Sequence, residues 1–313
     1  MLKLVLIVAA ASLIAAPAFA QQELLREDGV WHIRGDDGSI VHVMASPELA
    51  RSAELGRGHM VDMVQTPQRL NGYSVYSASY GTIPGQLDDH GGPVVSNAAF
   101  QPIFYNGATA ASLQAGIDAM VNNLSGSDPG MKVITQYSKS GNAITATLTH
   151  APDFVDNKTA PNRISDSGVR SYLTGLFNAR SITANGNTVY GVYLPSGTKS
   201  TNGGSSSCTS YCGYHSSYTY NGITILYAVL PYNNCSGCSL SGKTVLDMMT
   251  IVTGHEIREA ITDPVNAWWE ASSGYEADDK CAWHNLYQQT GGAWVQPEYS
   301  TGLGGFAKGC ITP

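Results

Sequence analysis

The sequence predicts an α/β fold in which helices pack on a mixed β-sheet, with a zincin-like metal helix and a loop-rich, disulfide-bonded C-terminal part. Three observations predict it. A buried-strand pattern over residues 94–105 is followed at once by a helical apolar pattern over 109–124. A second strong helical pattern covers 243–261 and contains the string H-E-x-x-E. All six cysteines lie between positions 208 and 310, in and around segments predicted to be loops.

The first 20 residues have the pattern of a secretory signal peptide. Lys3 precedes a short apolar run that ends in Ala18-Phe19-Ala20, a small-x-small site for signal peptidase. A spanning helix needs roughly 20 apolar residues, so this run is too short to cross a bilayer comfortably. We therefore expect cleavage after Ala20, a secreted protein that is extracellular or periplasmic, and no stable membrane insertion.

Residues 21–90 are polar and irregular, with weak strand signals such as 39–43, and are predicted to be an N-terminal extension or pro-segment. The predicted domain covers residues 91–313, beginning at a turn cluster over 88–93. Further strands are predicted over 143–148, 188–193 and 223–230, a helix over 169–178, and a Gly/Ser-rich loop over 196–217. After Asp263 the pattern indicates loops and short strands.

The cysteine pattern indicates disulfides. An even number of cysteines in an exported chain favours oxidised pairs over free thiols. A four-cysteine zinc site is the competing interpretation for the first four cysteines, and the oxidising compartment argues against it. Cross-pairing among those four stays open. The simplest pairing from the short spacings is Cys208–Cys212, Cys235–Cys238 and Cys281–Cys310.

Composition and motifs argue against several functional classes. The formal net charge is −7 and no basic stripe with interleaved aromatic residues is present, so nucleic acid is not an expected partner. His90-Gly91-Gly92 is similar to an oxyanion loop, but the chain has no G-x-S-x-G nucleophile elbow, which argues against a serine hydrolase. The tyrosines at 211, 214, 218 and 220 either form a carbohydrate-binding surface or pack against the core.

The predicted helix over 243–261 carries the residues with the clearest chemistry. Its apolar stripe runs through Met248 and Val252 and, continued at helical spacing, reaches His255 and Glu259. An imidazole and a carboxylate are therefore expected on the inward face. Because an unpaired buried carboxylate is costly, something should neutralise it, and a metal ion does that well.

The string His255-Glu256-x-x-Glu259 resembles the zincin helix H-E-x-x-H, with a glutamate in place of the second histidine. In that helix the two outer residues bind zinc and the intervening glutamate is the general base. His255 and Glu259 are therefore predicted metal ligands, and Glu256 is the predicted catalytic base. Zinc accepts carboxylate oxygen as well as imidazole nitrogen, so the replacement is chemically sound.

Acidic residues downstream are predicted to complete the ligand set. Glu276 and Asp279 are the natural candidates, with His284 behind them. Glu276 is the predicted third ligand, and Asp279 is predicted to be a fourth ligand or to support the other three. Zinc is the expected cofactor, and two alternatives stay open. One is calcium, which prefers oxygen ligands. The other is a salt-bridged helix end around Arg258 that holds no metal.

Three segments resemble the EXORDIUM-like, phosphate-induced protein 1 family, secreted proteins known best from plants. Residues 93–105 with the following helix are similar to that family's opening strand and helix. Residues 208–215 are similar to its C-x-x-x-C-G-x-H element, and the end of the helix at 262–264 to its T-[ND]-P segment. The match spans roughly residues 90–313. The resemblance implies secretion and this fold, and for plant members a role in growth and cell-wall signalling without a settled activity.

The helix string departs from the plant pattern and looks closer to microbial relatives with H-E-x-x-E-x-x-T-D-P, followed by E-x-x-D-K-C-A-W. The leading hypothesis is a secreted metal-dependent hydrolase, a zinc peptidase, acting on a peptide or another extracellular or cell-wall substrate. The alternative is a non-catalytic extracellular or cell-wall-associated binding protein of the same family, with a structural metal or none. An open coordination position facing a cleft favours the enzyme, whereas a closed shell of protein ligands favours the binding protein.

Overall fold

The computed structural model describes residues 31–35, 37–56, 68–70, 72–76, 86–106, 111–124, 128–271 and 273–313. The predicted signal peptide, its cleavage site after Ala20 and much of the predicted 21–90 segment lie outside the described residues. Within the described part of the chain, no helix is long and apolar enough to span a membrane.

The described residues form helices and mostly short strands. The helices are α1 (Pro47–Gly56), α2 (Ala111–Leu124), α3 (Pro129–Val133), α4 (Asp166–Asn178) and α5 (Val245–Thr262). The strands before α5 are β1 (His32–Arg34), β2 (Ile40–Ala45), β3 (Gln68–Leu70), β4 (Tyr73–Tyr76), β5 (Asp88–Asp89), β6 (Ala99–Tyr105), β7 (Thr149–His150), β8 (Phe154–Asp156), β9 (Arg163–Ser165), β10 (Thr188–Tyr193), β11 (Lys199–Asn202), β12 (Ser205–Ser206), β13 (Tyr211–Tyr220) and β14 (Ile223–Leu230). The strands after α5 are β15 (Trp268–Trp269), β16 (Tyr287–Gln288), β17 (Trp294–Val295), β18 (Glu298–Ser300) and β19 (Gly309–Thr312).

Eight strands form the main sheet, in the order β1-β2-β13-β14-β10-β6-β7, with β8 also paired to β6. The strands β14, β10, β6, β7 and β8 run parallel to their partners in this half of the sheet. The pairs β13–β14, β2–β13 and β1–β2 are antiparallel. The predicted α/β class with a mixed sheet is confirmed.

The sheet separates two hydrophobic cores. Leu226 and Ala228 of β14 pack in the core shared with α2 and α5, whereas Tyr227 and Val229 pack in the core shared with α4. This division follows because successive side chains of a strand point to opposite faces. The candidate metal centre lies on the α5 side of the sheet.

α5 is buried on every side over most of its length. It begins at a capping box in which Thr244 and Asp247 exchange side-chain-to-backbone hydrogen bonds. Residues 248–262 are all buried, which identifies α5 as an internal helix. It packs on β13 and β14 with one side and contacts β17 with the other. The predicted inward face is therefore one of several that lie inside the protein.

The strand predicted over 143–148 is wrong. This segment is irregular, and the short strand β7 begins only at Thr149. The N–H of Thr145 donates to the carbonyl of Ser96, and the N–H of Ile144 donates to the hydroxyl of Ser138. Because these groups bond to irregular segments, the backbone here does not join a strand ladder.

The loop predicted over 196–217 is also wrong, since this range contains β11, β12 and most of β13. Tyr211 and Tyr214 of β13 are 0% exposed. The carbohydrate-binding surface predicted as one possibility for these two tyrosines is therefore wrong, and the core-packing alternative is confirmed for them.

The six cysteines form three disulfides, and only one of them is the predicted pair. The structure confirms Cys281–Cys310, whereas the predicted Cys208–Cys212 and Cys235–Cys238 are wrong. The turn after Cys235 lies against the segment that leads into β13, so closely that a Cβ on Gly237 would collide with the carbonyl oxygen of Cys208. Each cysteine of one segment therefore faces a cysteine of the other, with no thiolate left for a four-cysteine zinc site. The observed bonds are Cys208–Cys235 and Cys212–Cys238, with Cα–Cα distances of 5.9 and 5.5 Å.

Candidate metal centre

α5 presents His255 and Glu259 one turn apart. The Nε2 atom of His255 lies 2.9 Å from Oε2 of Glu259. The two residues are 0% and 1% exposed, so the prediction that they face inward is confirmed. On the other side of the ring, Nδ1 of His255 lies 3.2 Å from Oε1 of Gln296. This second contact holds the imidazole with Nε2 toward the carboxylates.

Asp279 meets these two residues from the segment after β15. Its Oδ1 lies 3.6 Å from Nε2 of His255, and its backbone N–H donates to Oε1 of Glu259 over 3.0 Å. Its other oxygen accepts from the N–H of Glu276, also over 3.0 Å. One donor atom from each of His255, Glu259 and Asp279 lies within 4.8 Å of the other two.

Glu276 lies beside two histidines that the sequence does not predict as metal ligands. Its Oε1 is 3.0 Å from Nδ1 of His42 in β2, and its Oε2 is 3.6 Å from Nε2 of His215 in β13. These three residues form a second convergent group. The structure thus brings three of the four predicted ligands together and puts the fourth in the neighbouring group. Metal binding by any of them stays a prediction.

Glu256 lies on the side of α5 that faces the sheet. Its Oε2 is 3.3 Å from Nδ1 of His215, and its Oε1 makes no hydrogen bond within the described residues. The same Nδ1 is 3.8 Å from Oε2 of Glu259, so His215 connects the two groups. His284 is half-buried and belongs to neither group.

Sheet register explains why the sequence does not reveal His42 and His215 as members of the centre. His32 in β1 is opposite His42 in β2, and His42 is opposite His215 in β13. Directly opposite residues point to the same face, so the three imidazoles form a row on the α5 side. No local spacing links these positions. The one sequence signal is that His215 ends the C-x-x-x-C-G-x-H string. The cysteines of that string explain it as a disulfide motif, so it does not by itself indicate a metal ligand.

Burial and mutual repulsion disfavour the ionised carboxylates. Burial raises the pKa of Glu256, Glu259, Glu276 and Asp279 well above the usual range, and neighbouring carboxylates raise it further. Burial also lowers the pKa of His255. A bound cation reverses the preference of the acids, because it favours ionised carboxylates beside neutral imidazoles.

Arg258 does not neutralise the centre. Its Nε donates to Oδ1 of Asp278 over 3.0 Å and lies 2.9 Å from Oε2 of Glu298. The metal-free alternative is a salt-bridged helix end that holds His255, Arg258 and Glu259. Arg258 pairs with Asp278 and Glu298, whereas Glu259 pairs with His255. Among the described residues, the carboxylates of the centre have imidazoles as their ion-pair partners.

Comparison with protein-family models, curated proteins and solved structures finds no significant match for this chain. The resemblance to the EXORDIUM-like family therefore stays a prediction carried by its three motif segments. Function is inferred from the geometry of the centre.

Proposed function

We propose that the protein is a secreted metal-dependent hydrolase that binds zinc through His255, Glu259 and Asp279. The observation that carries this proposal is the convergence of one imidazole and two carboxylates in a buried space. Structural zinc sites are mostly built from cysteine and histidine, whereas catalytic sites use three ligands, often histidine with a carboxylate, and keep one position open. The donor set here is of the second kind.

The donor atoms fit a cation. Nε2 of His255 and Oδ1 of Asp279 are buried, lie 3.6 Å apart and make no hydrogen bond within the described residues. Buried polar atoms normally have hydrogen-bond partners, so unbonded atoms that face one another are expected around a metal. An imidazole in the set favours zinc over calcium, which takes oxygen ligands.

Each residue has a distinct role in the proposed hydrolysis. Zinc supplies a Lewis acid that polarises a carbonyl and makes water more acidic. Glu256 accepts the proton of the attacking water at its unbonded Oε1 and returns it to the leaving amine. Gln296 orients His255, and the backbone N–H of Glu276 orients Asp279. The sequence likeness of the string His255-Glu256-x-x-Glu259 to the zincin string H-E-x-x-H makes peptide bonds the first substrate class to test.

Burial favours a second candidate function. His255, Glu256 and Glu259 are at most 1% exposed, so a substrate reaches them only if a covering segment moves. A closed shell is expected of a non-catalytic extracellular or cell-wall-associated binding protein in which the ion has a structural role. We rank the hydrolase first for two reasons. A segment that covers the site can move and admit a substrate. The combination of imidazole and carboxylate donors is typical of catalytic zinc sites, and it is fixed by the sequence.

Metal content tests the first site. The secreted protein, gently purified, should carry zinc by plasma mass spectrometry, and His255→Ala should lose one equivalent because one donor is removed. Glu48→Gln, which changes an exposed carboxylate on α1, is the matched control and should keep the wild-type content. A wild-type protein that carries no metal and gains no stability from added zinc would overturn the proposal.

Glu256→Gln tests the catalytic role. The amide is nearly isosteric, so the variant should keep its fold and its metal. It should lose hydrolysis by about 10²–10⁴-fold, because an amide cannot accept the proton of water. A broad peptide library incubated with each protein and analysed by mass spectrometry measures the loss. Equal cleavage by both proteins contradicts the role of Glu256, and metal-loaded wild type that cuts nothing makes the binding protein the better account.

A further inference from the structure

We propose that a second divalent cation binds at His42, His215 and Glu276, next to the first, so that the chain carries a two-cation centre. The site goes beyond the single zinc proposed at His255 and does not depend on catalysis. Its ligands come from β2, from β13 and from the segment after β15. An ion there ties the edge of the main sheet to the C-terminal part of the chain.

Strand register holds the two histidines side by side. His42 is directly opposite His215, and their rings stack with centroids 5.0 Å apart and planes at 26°. Val41 and Val43, the strand neighbours of His42, belong to the core on the α4 side. The imidazoles therefore point toward α5, where Glu276 lies.

Glu276 faces both imidazoles without a hydrogen bond to either. Its Oε1 lies 3.0 Å from Nδ1 of His42, and its Oε2 lies 3.6 Å from Nε2 of His215. All four atoms are buried and have no hydrogen bond within the described residues. His215 and Glu276 are each 1% exposed. Such unbonded, convergent atoms are costly alone and are expected around an ion.

Glu256 supports the orientation of His215 from behind. Its Oε2 lies 3.3 Å from Nδ1 of His215, which leaves Nε2 directed at Glu276. A carboxylate behind a metal-binding imidazole is the usual arrangement that fixes the ring and its tautomer. Two imidazoles and one carboxylate suit zinc, cobalt or manganese better than calcium.

Charge balance calls for more than one divalent ion. Glu256, Glu259, Asp263, Glu276 and Asp279 are buried together and carry five negative charges when ionised. One divalent cation offsets two of these charges, and the buried arginine of α5 is engaged by other acids. A second divalent cation offsets two more, whereas without it protons must neutralise more of the carboxylates.

Glu259 lies between the two proposed sites. Its Oε2 is 2.9 Å from Nε2 of His255 and 3.8 Å from Nδ1 of His215. The Nδ1 atom is the ring nitrogen that faces Glu256, so Glu259 is a ligand of the first site and a neighbour of the second. Paired divalent ions are a common device of hydrolases, in which both ions act on one substrate.

Counting ions per chain tests the proposal. Zinc is added to the metal-stripped full-length secreted protein, excess is removed by gel filtration, and bound metal is measured by plasma mass spectrometry. We expect two equivalents for wild type and for Glu48→Gln, and one each for His42→Ala and His255→Ala. His42 is the most exposed of the three ligands, with 19% of its side chain exposed, so its loss should spare the fold. Circular dichroism checks this.

The outcomes separate this site from the first one. A single equivalent that His42→Ala leaves unchanged overturns the second site and leaves the proposed zinc at His255 standing. No bound metal in wild type overturns both. Wild-type protein loaded with manganese provides a check without mutation. Two neighbouring manganese ions should give an electron paramagnetic resonance spectrum broadened by spin–spin coupling, and the spectrum of isolated ions at saturation overturns the proposal.

Discussion

Arg258 is a fully buried cation on α5 that connects the helix to the C-terminal part of the chain. Its Nε donates to Asp278 and lies 2.9 Å from Glu298, and its Nη2 donates to the carbonyl of Gln296 over 3.3 Å. A buried ion pair adds little net stability, because desolvation offsets the attraction. Removal of one partner is different, since it leaves the other charge buried and unpaired.

Arg258→Met should therefore lower the free energy of unfolding by about 3–5 kcal/mol. Asp278 and Glu298 would remain buried without their guanidinium partner. Urea denaturation followed by tryptophan fluorescence measures the loss. Arg163→Met removes an exposed arginine of β9 and should change stability by no more than about 0.5 kcal/mol. Equal stability of the two variants would contradict a buried charge network at Arg258.

Elements with a local pattern could be predicted from the sequence. The predicted strands over 188–193 and 223–230 are β10 and β14, and the helix predicted over 243–261 is α5. β13 could not be predicted, since it follows a Gly/Ser-rich segment and becomes a strand by pairing with β14 and with β2, which is distant in sequence. Buried Ile144 and Leu148 produce the opposite error, because apolar side chains also anchor irregular segments.

The residues of the candidate metal centre also divide into those with a local sequence pattern and those without one. His255 and Glu259 could be predicted because their spacing along one helix is local. Asp279 could be predicted as an acidic neighbour in the chain. His42 and His215 could not, because β2 and β13 meet only through long-range strand pairing. Two of the six donor residues therefore depend on strand register, which a single sequence does not reveal.

The disulfides that join the start of β13 to the turn at Ser236–Cys238 can be mapped by digestion without reduction. Trypsin is unsuitable, because no lysine or arginine lies between residues 199 and 243. Chymotrypsin cleaves after Tyr211 and so separates Cys208 from Cys212. We expect both of these peptides bonded to the one that carries Cys235 and Cys238. A Cys208 peptide bonded only to the Cys212 peptide would contradict the structure.

The same crosslinks contribute to stability. Because Cys208–Cys235 already closes the chain between the two segments, removal of Cys212–Cys238 frees only the short loop between the two crosslinks, for which chain entropy in the unfolded state predicts about 2 kcal/mol. The double variant Cys212→Ala/Cys238→Ala should lose about that much free energy of unfolding in urea. Ser239→Ala, at an exposed position beside the same turn, should not change it. A loss below about 1 kcal/mol would show that the unfolded state gains little freedom when this bond is removed.

At the scale of the whole molecule, the N-terminal strands are part of the main sheet. β1 and β2 form its edge next to β13, and β2 carries His42 to the centre. Trp31, Val43 and Met44 are at most 1% exposed. Residues 31–45 thus belong to the structural unit that the sequence pattern places at 91–313. Whether any of the 21–90 segment is removed stays a prediction.

Mass spectrometry of the secreted protein should find its N-terminus at Gln21 or between there and Trp31. The small-x-small site at Ala18 and Ala20 predicts the first cut, and Ala20→Leu should block it.

Further trimming of the N-terminus should stop before β1. Burying each large apolar side chain contributes about 1.5–3 kcal/mol, so loss of β1 and β2 would cost several such contributions and open the edge of β13. An intact Met1 on the secreted protein would contradict export by a cleaved signal. An N-terminus beyond residue 45 on stable, folded protein would show that these strands are dispensable, and it would remove His42 from the proposed second site.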